Sequence, residues 1–270
     1  MEESRVQVLI DLKALLSDMG YDTECLNLEK PFDVVENYNN SIGKLNLEDG
    51  YNCEKCKNRG DYMIKTDTGE ALAECDCMRI RRAIRELKKS GLENQIEGFD
   101  SYKVVDELTA KIKRLAIENL KTKEWFFIGG QTGSGKTHIS TAIAVELLRR
   151  SVQVRYKRYM EMVQNLKSKK FTSDSEYYEE LLPLVNCEVL YIDDLFKGKV
   201  LDQDLAIIWE LIDDRYTSGK KTIISSEMDL SEIARLDESL AGRINQRAGK
   251  YVINIEKNKE FNRRLNNINI

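Results

Sequence analysis

Five short runs of aliphatic and aromatic residues punctuate the second half of the chain: WFFIG at 125–129, VQVRY at 152–156, EVLYID at 188–193, TIISS at 222–226 and YVINI at 251–255. Their length and β-branched content predict buried strands. The segments between and around them carry apolar residues at three- and four-residue steps, which predicts helices over 105–121, 136–150, 158–168, 174–183, 202–218, 230–236 and 238–247. Strands that alternate with helices predict an α/β domain with a five-stranded parallel sheet covered on both faces, because a parallel neighbour is reached only through a crossover.

Before Gly91 the pattern is different. Val8, Leu9, Leu12, Leu15, Leu16 and Met19 fall on one helical face, so residues 4–19 read as an amphipathic helix ended by Gly20. Residues 21–50, with Pro31 and an Asn-rich stretch at 37–40, are less regular. Asp67, Thr68 and Gly69 form a turn signal between short strands at 61–65 and 71–75, and a basic helix follows over 78–90. The chain is therefore expected to divide into an acidic helical segment at 1–50, a cysteine-bearing module at 51–90 and an α/β domain at 91–270.

Composition adds a soluble, folded character: 41% hydrophobic, 33% charged and two prolines, with a net charge of −4. No apolar run approaches 18 residues and the first stretch carries Asp11, Lys13 and Asp18, so neither a signal peptide nor a membrane span is expected, and the cytoplasm is the expected location. Charge is unevenly placed: residues 1–50 hold eleven acids against four bases, while Arg79, Arg81, Arg82, Arg85, Lys88 and Lys89 crowd into eleven positions with one acid.

Gly130-Gln131-Thr132-Gly133-Ser134-Gly135-Lys136-Thr137 matches the phosphate-binding loop G-x-x-x-x-G-K-T, and it lies between a predicted strand and a predicted helix. Such a loop turns successive N–H groups and a helix N-terminus toward the phosphates of ATP. Lys136 is expected to neutralise the β- and γ-phosphates and Thr137 to ligate Mg²⁺. Asp193 and Asp194 end the strand at 188–193; Asp193 is expected to hold the metal's water shell and Asp194 to orient and deprotonate an attacking water. A longer Glu is common at the second position, so Asp194 suits a slow ATPase that works as a switch. The single histidine, His138, follows the loop and is counted with its nucleotide-binding residues, as a packing or solvent-facing group rather than a catalyst.

Cys53-x2-Cys56 and Cys75-x-Cys77 stand 18 residues apart, a spacing from which a hairpin can gather four thiolates around one structural Zn²⁺. Disulfides fit a cytosolic chain poorly. Cys25 and Cys187 read as packing residues.

Taken together, YNCEKCKNRG, CDC, GFDSY, GGQTGSGKTH and LYIDDLFKG resemble the bacterial and phage helicase loaders of the DnaC/DnaI type, a branch of AAA+ ATPases, over about residues 50–256. The resemblance implies an AAA+ domain that binds ATP, associates with itself through the ATP site, and places a replicative helicase hexamer on single-stranded DNA. It implies that the segment Gly98, Phe99, Asp100, Tyr102 wraps the adenine, with Phe99 in contact; as aromatic residues Phe99 and Tyr102 equally suit a packed core. It also implies a γ-phosphate sensor at the end of the strand 222–226, where Ser226 or Glu227 stands, and an arginine finger for the neighbouring subunit at Arg243 or Arg247, with Arg243 leading. About 15 residues follow the last strand, too few for a typical helical lid, and Arg263 or Arg264 would substitute for its second sensor. A transposition helper of the IstB type shares the ATPase core, and a zinc-containing nucleotide-dependent binding module with negligible turnover is the remaining alternative.

Overall fold

The computed structural model describes residues 14, 15, 17–19, 33–94, 97–258 and 261–262. Most of the expected helix at 4–19, Cys25, Arg263 and Arg264 lie outside the described residues. The chain divides into two compact units, Met1–Met78 and Arg79–Ile270. No helix among the described residues is long and apolar enough to cross a membrane.

In the first unit, helices Val34–Asn40 and Leu45–Asp49 precede an antiparallel hairpin of β1 (Asp61–Thr66) and β2 (Gly69–Glu74). Asp33 caps the first helix by accepting from the Val35 N–H at 2.9 Å. The helix is tied to β1 by its polar side chains. Asn39 bonds both the N–H and the carbonyl of Met63, at 2.8 and 3.0 Å, and the Tyr38 ring carries the Arg59 guanidinium 3.4 Å from its centroid.

The second unit is built on a five-stranded parallel sheet: β3 (Phe126–Gly130), β4 (Val154–Arg158), β5 (Val189–Leu195), β6 (Lys221–Ser226) and β7 (Val252–Ile255), in the order β4-β5-β6-β3-β7. The pleat sorts side chains into two cores. Phe126, Ile128, Val189 and Tyr191 pack with Ile112 and Ala116 of helix Glu107–Asn119 and Ile139 and Ile143 of helix Lys136–Arg149. Phe127, Leu190 and Ile192 pack on the opposite face against helices Tyr159–Thr172, Asp174–Asn186, Asp202–Ser218 and Glu238–Ala248. Burial on both faces explains why these strands read as continuous apolar runs.

Several boundaries differ from the sequence expectation; the helix expected at 158–168, for example, runs on to Thr172. The strand expected at 152–156 runs from Val154 to Arg158, because Ser151 turns the chain with φ 62° and the Val152 N–H closes the preceding helix on the Leu147 carbonyl at 3.0 Å. The helix expected to stop at Pro183 continues to Asn186. The carbonyl that Pro183 leaves without its intrahelical donor belongs to exposed Glu179, where water can serve it.

One irregularity positions the site. In β5, Ile192 pairs with Ile224 of β6 and Leu195 pairs with Ser226, so Asp193 and Asp194 together stand opposite Ser225. Asp194 takes φ 57°, in the left-handed region. Adjacent strand residues ordinarily point to opposite faces; this bulge brings both carboxylates to one cavity at the carboxyl end of the sheet.

Candidate functional site

A cavity of about 920 Å³ lies at that end of the sheet, where β3 gives way to the glycine-rich loop and helix Lys136–Arg149 begins. Crevices beyond the carboxyl ends of parallel strands are where open α/β sheets bind ligands. Thr132, Gly133, Gly135, Lys136, Thr137 and His138 line it, as do Asp193 and Asp194. Gly130 and Gln131 lie beneath: their carbonyls accept from Lys136 Nζ at 2.9 and 2.6 Å, and Ser134 Oγ donates to the Gln131 carbonyl at 2.7 Å. The loop can follow this path because Gly130 has φ 108° and a Cβ there would sit 1.9 Å from the Ile255 carbonyl oxygen.

Asp193, 4% exposed, is the centre of the site. Its Oδ1 accepts from Thr137 Oγ1 at 3.0 Å, from Tyr191 Oη at 2.9 Å and from Ser225 Oγ, and its Oδ2 accepts from Tyr156 Oη at 3.3 Å. Burial, and then the Asp193 charge, raise the Tyr191 hydroxyl well above its ordinary value, so it remains a donor. Ser225 also accepts the Asp194 N–H at 3.0 Å, which pins the bulge. The Asp194 carboxylate receives Lys197 Nζ at 2.7 Å, and that bond raises the Lys197 ammonium above its usual value.

A buried carboxylate beside the Thr137 hydroxyl is the donor set an oxygen-loving divalent cation with a retained water shell requires, so these residues fit Mg²⁺. The four cysteines of the first unit form a separate candidate metal centre. Their sulfurs all lie within 4.8 Å of one another, with Cys53 and Cys75 3.8 Å apart and Cys56 and Cys77 3.5 Å apart. A tetrahedron with Zn–S bonds of 2.3 Å has edges of about 3.8 Å, so the thiols fit zinc. Burial raises the Cys56 thiol, but the Gly60 N–H and the neighbouring cysteines outweigh it and bring it down to about 7.

Several expected site residues sit elsewhere. Phe99 does not line the cavity: it packs on the core of Ile139, Ile143 and Leu147, and Tyr102 and Ser101 from the same segment face the cavity instead. The segment is fastened to the loop helix through His138, whose Nε2 is 3.0 Å from Ser101 Oγ and whose ring meets Tyr102 edge-on at 5.4 Å. Ser226 is turned away, donating to the Leu195 carbonyl at 2.7 Å, whereas Glu227 lines the cavity and accepts from Thr132 Oγ1 at 3.0 Å. Arg243 is engaged within its own unit: Nε bonds Asp213 at 2.6 Å, Nη1 donates to the Ser239 carbonyl, and the guanidinium lies over the Trp209 and Tyr216 rings. Arg247 has no carboxylate partner among the described residues, and neither arginine lines the cavity. Sequence reasoning missed Tyr156, Tyr191, Ser225 and Lys197, whose roles depend on which strands become neighbours. Only Lys197, three positions after Asp194 in a turn, carried a local signal.

With the site in view, comparison with known proteins is informative. The family model for IstB-like ATP binding proteins matches residues 65–263. The chain is 31% identical over 238 residues to the phage-like element PBSX protein XkdC of Bacillus subtilis (strain 168), covering 81% of this chain and 88% of that one. It is 24% identical over 166 residues to the replicative helicase loader DnaC of Escherichia coli (strain K12), covering 58% and 67% respectively. A crystal structure of DnaI shares its fold, with a TM-score of 0.53 and 20% identity over 66% of this chain and all of that one. The chain therefore belongs to the IstB-like ATP binding proteins.

Proposed function

We propose that this chain is an ATP-dependent loader of a replicative helicase hexamer onto single-stranded DNA, and that ATP acts as an assembly-dependent switch rather than as fuel for a motor. The observation that carries the ATP reading is the approach of Thr137 to the buried Asp193 at the mouth of the glycine-rich loop. Lys136 would leave the Gly130 and Gln131 carbonyls for the phosphates, and the helix N-terminus supports their charge. Thr137 and, through water, Asp193 would hold Mg²⁺, which would supply charge neutralisation for the phosphates. Asp194 would orient the attacking water. Zn²⁺ on Cys53, Cys56, Cys75 and Cys77 would hold the hairpin module, which together with the acidic segment 1–50 would dock on the helicase in the cytoplasm.

Single-stranded DNA as a partner is supported by Phe171, which is 95% exposed at the end of a helix beside exposed Lys170, whereas Lys167 and Lys169 of the same helix are paired with Asp204 and Glu176. An exposed ring beside basic residues suits stacking on bases with phosphates alongside. Self-association through the ATP site would let an arginine reach the neighbouring nucleotide, and Arg247, without a carboxylate partner among the described residues, suits that role better than Arg243, which is held by Asp213. The test is a pull-down from the host with wild type beside Lys136→Ala. Recovery of the replicative helicase by wild type, altered in the variant, supports loading; recovery of a transposase in its place would redirect the function to transposition.

A further inference from the structure

Lys197 bridges two carboxylates that line the cavity. Its Nζ lies 2.7 Å from Asp194 Oδ2 and 3.5 Å from Glu227 Oε1, and Glu227 in turn accepts from Thr132 of the glycine-rich loop at 3.0 Å. The chain Asp194, Lys197, Glu227, Thr132 thus runs across the cavity from the bulge to the loop, and all four residues line it with Lys136 and Thr137. The lysine is presented by a fixed turn: Phe196 is buried with φ 60°, and the Lys197 N–H bonds the Asp194 carbonyl at 3.1 Å. A terminal phosphate entering between the loop and Asp194 brings negative charge toward Glu227 and Asp194. An ammonium on a flexible four-carbon stem can exchange partners there, since it is a point charge with rotatable donors.

We infer that Lys197 is a positioning residue that reads the third phosphate. A nucleoside triphosphate draws its ammonium off Asp194, offsets the repulsion from Glu227 and releases the Asp194 carboxylate, whereas a diphosphate leaves the lysine on its carboxylates. Lys197 therefore sets the preference for triphosphate over diphosphate, because only a ligand that interacts differently with the two arrangements can shift between them.

This inference rests on the nucleotide site proposed above, and its test separates the two. AMPPNP and ADP are titrated in magnesium buffer against wild type, Lys136→Ala, Lys197→Met, Lys197→Arg and Glu227→Gln, with folding checked by circular dichroism. Loss of one charge-assisted contact predicts that Lys197→Met weakens AMPPNP about 10-fold and ADP less than about 2-fold. Lys197→Arg should restore most of the preference, and Glu227→Gln should shift it further toward AMPPNP. A Lys197→Met variant that weakens both nucleotides equally, or neither, overturns the role of Lys197 while leaving the site intact. Should Lys197→Met not fold, an unchanged AMPPNP/ADP ratio in Glu227→Gln overturns it equally. Wild type that binds neither nucleotide overturns the site and this inference together.

Discussion

Asp193 collects hydrogen bonds from Thr137, Tyr191, Ser225 and Tyr156, side chains from a helix and three strands, so its carboxylate is fixed from several directions at once. Pre-orientation of this kind leaves little reorganisation to be made when a charged ligand arrives. Asp193→Asn is expected to lower ATP turnover by about 100-fold or more while the melting temperature changes little, a result checked by steady-state hydrolysis beside thermal unfolding. Asp194→Glu, which supplies a longer base, is expected to raise turnover; an unchanged rate would show that side-chain length at this position does not limit the proposed hydrolysis. A different buried charge serves the fold. Arg215, fully buried, donates to the Leu184, Val185 and Cys187 carbonyls at 2.7, 2.9 and 3.1 Å, and so holds the end of helix Asp174–Asn186 against β6. Arg215→Met removes the donor from the Val185 and Cys187 carbonyls, while the Leu184 carbonyl keeps the Cys187 thiol, and is expected to cost about 3 kcal/mol in denaturant unfolding.

At the scale of elements, the hairpin and its four thiols form a unit whose stability depends on pH. Against the pull of burial, the Gly60 N–H and the neighbouring cysteines bring the Cys56 thiol down to about 7 against about 9 when free, whereas burial raises the Cys75 thiol. At Cys56 the folded state binds fewer protons than the unfolded one between those values, so this thiol adds stability to the metal-free module as pH rises from 7 to 9 and that contribution is lost as pH falls through 7. Zinc, which needs thiolates, is expected at about one per chain near neutrality and to be released on acidification below about 6, with loss of hairpin amide protection in hydrogen exchange. Elements of this kind were legible because periodicity and cysteine spacing are local properties. The five strands, their parallel pairing and the hairpin follow from such signals, as do the glycine-rich loop and Asp193. Residues such as Ser225 and Tyr156 were not legible, since they act only once β4, β5 and β6 lie side by side. Phe99 was open to two readings, because an aromatic residue in a nucleotide-flanking segment can face either the cavity or the core; here it packs, partly buried, on the core.

For the whole molecule, the proposed switch predicts that specific ATPase activity rises with protein concentration, because an arginine from a neighbour completes the site. Arg247→Ala is expected to flatten that dependence. Arg243→Ala is expected to lower the melting temperature, since it breaks the contact with Asp213 and exposes the Trp209 face, while the concentration dependence survives. Reversed outcomes would return the trans role to Arg243. Phe171→Ala should weaken oligonucleotide binding by about 1–3 kcal/mol without altering nucleotide affinity, measured by fluorescence anisotropy.

The Arg243 stack also gives the chain a built-in optical probe. Of its two tryptophans, Trp125 is fully buried, while Trp209 is 37% exposed and lies beneath the Arg243 guanidinium. Iodide should therefore quench one indole and spare the other. If subunits meet across the helix that carries Arg243, the quenchable emission will fall as they associate, and assembly can be followed without an added dye.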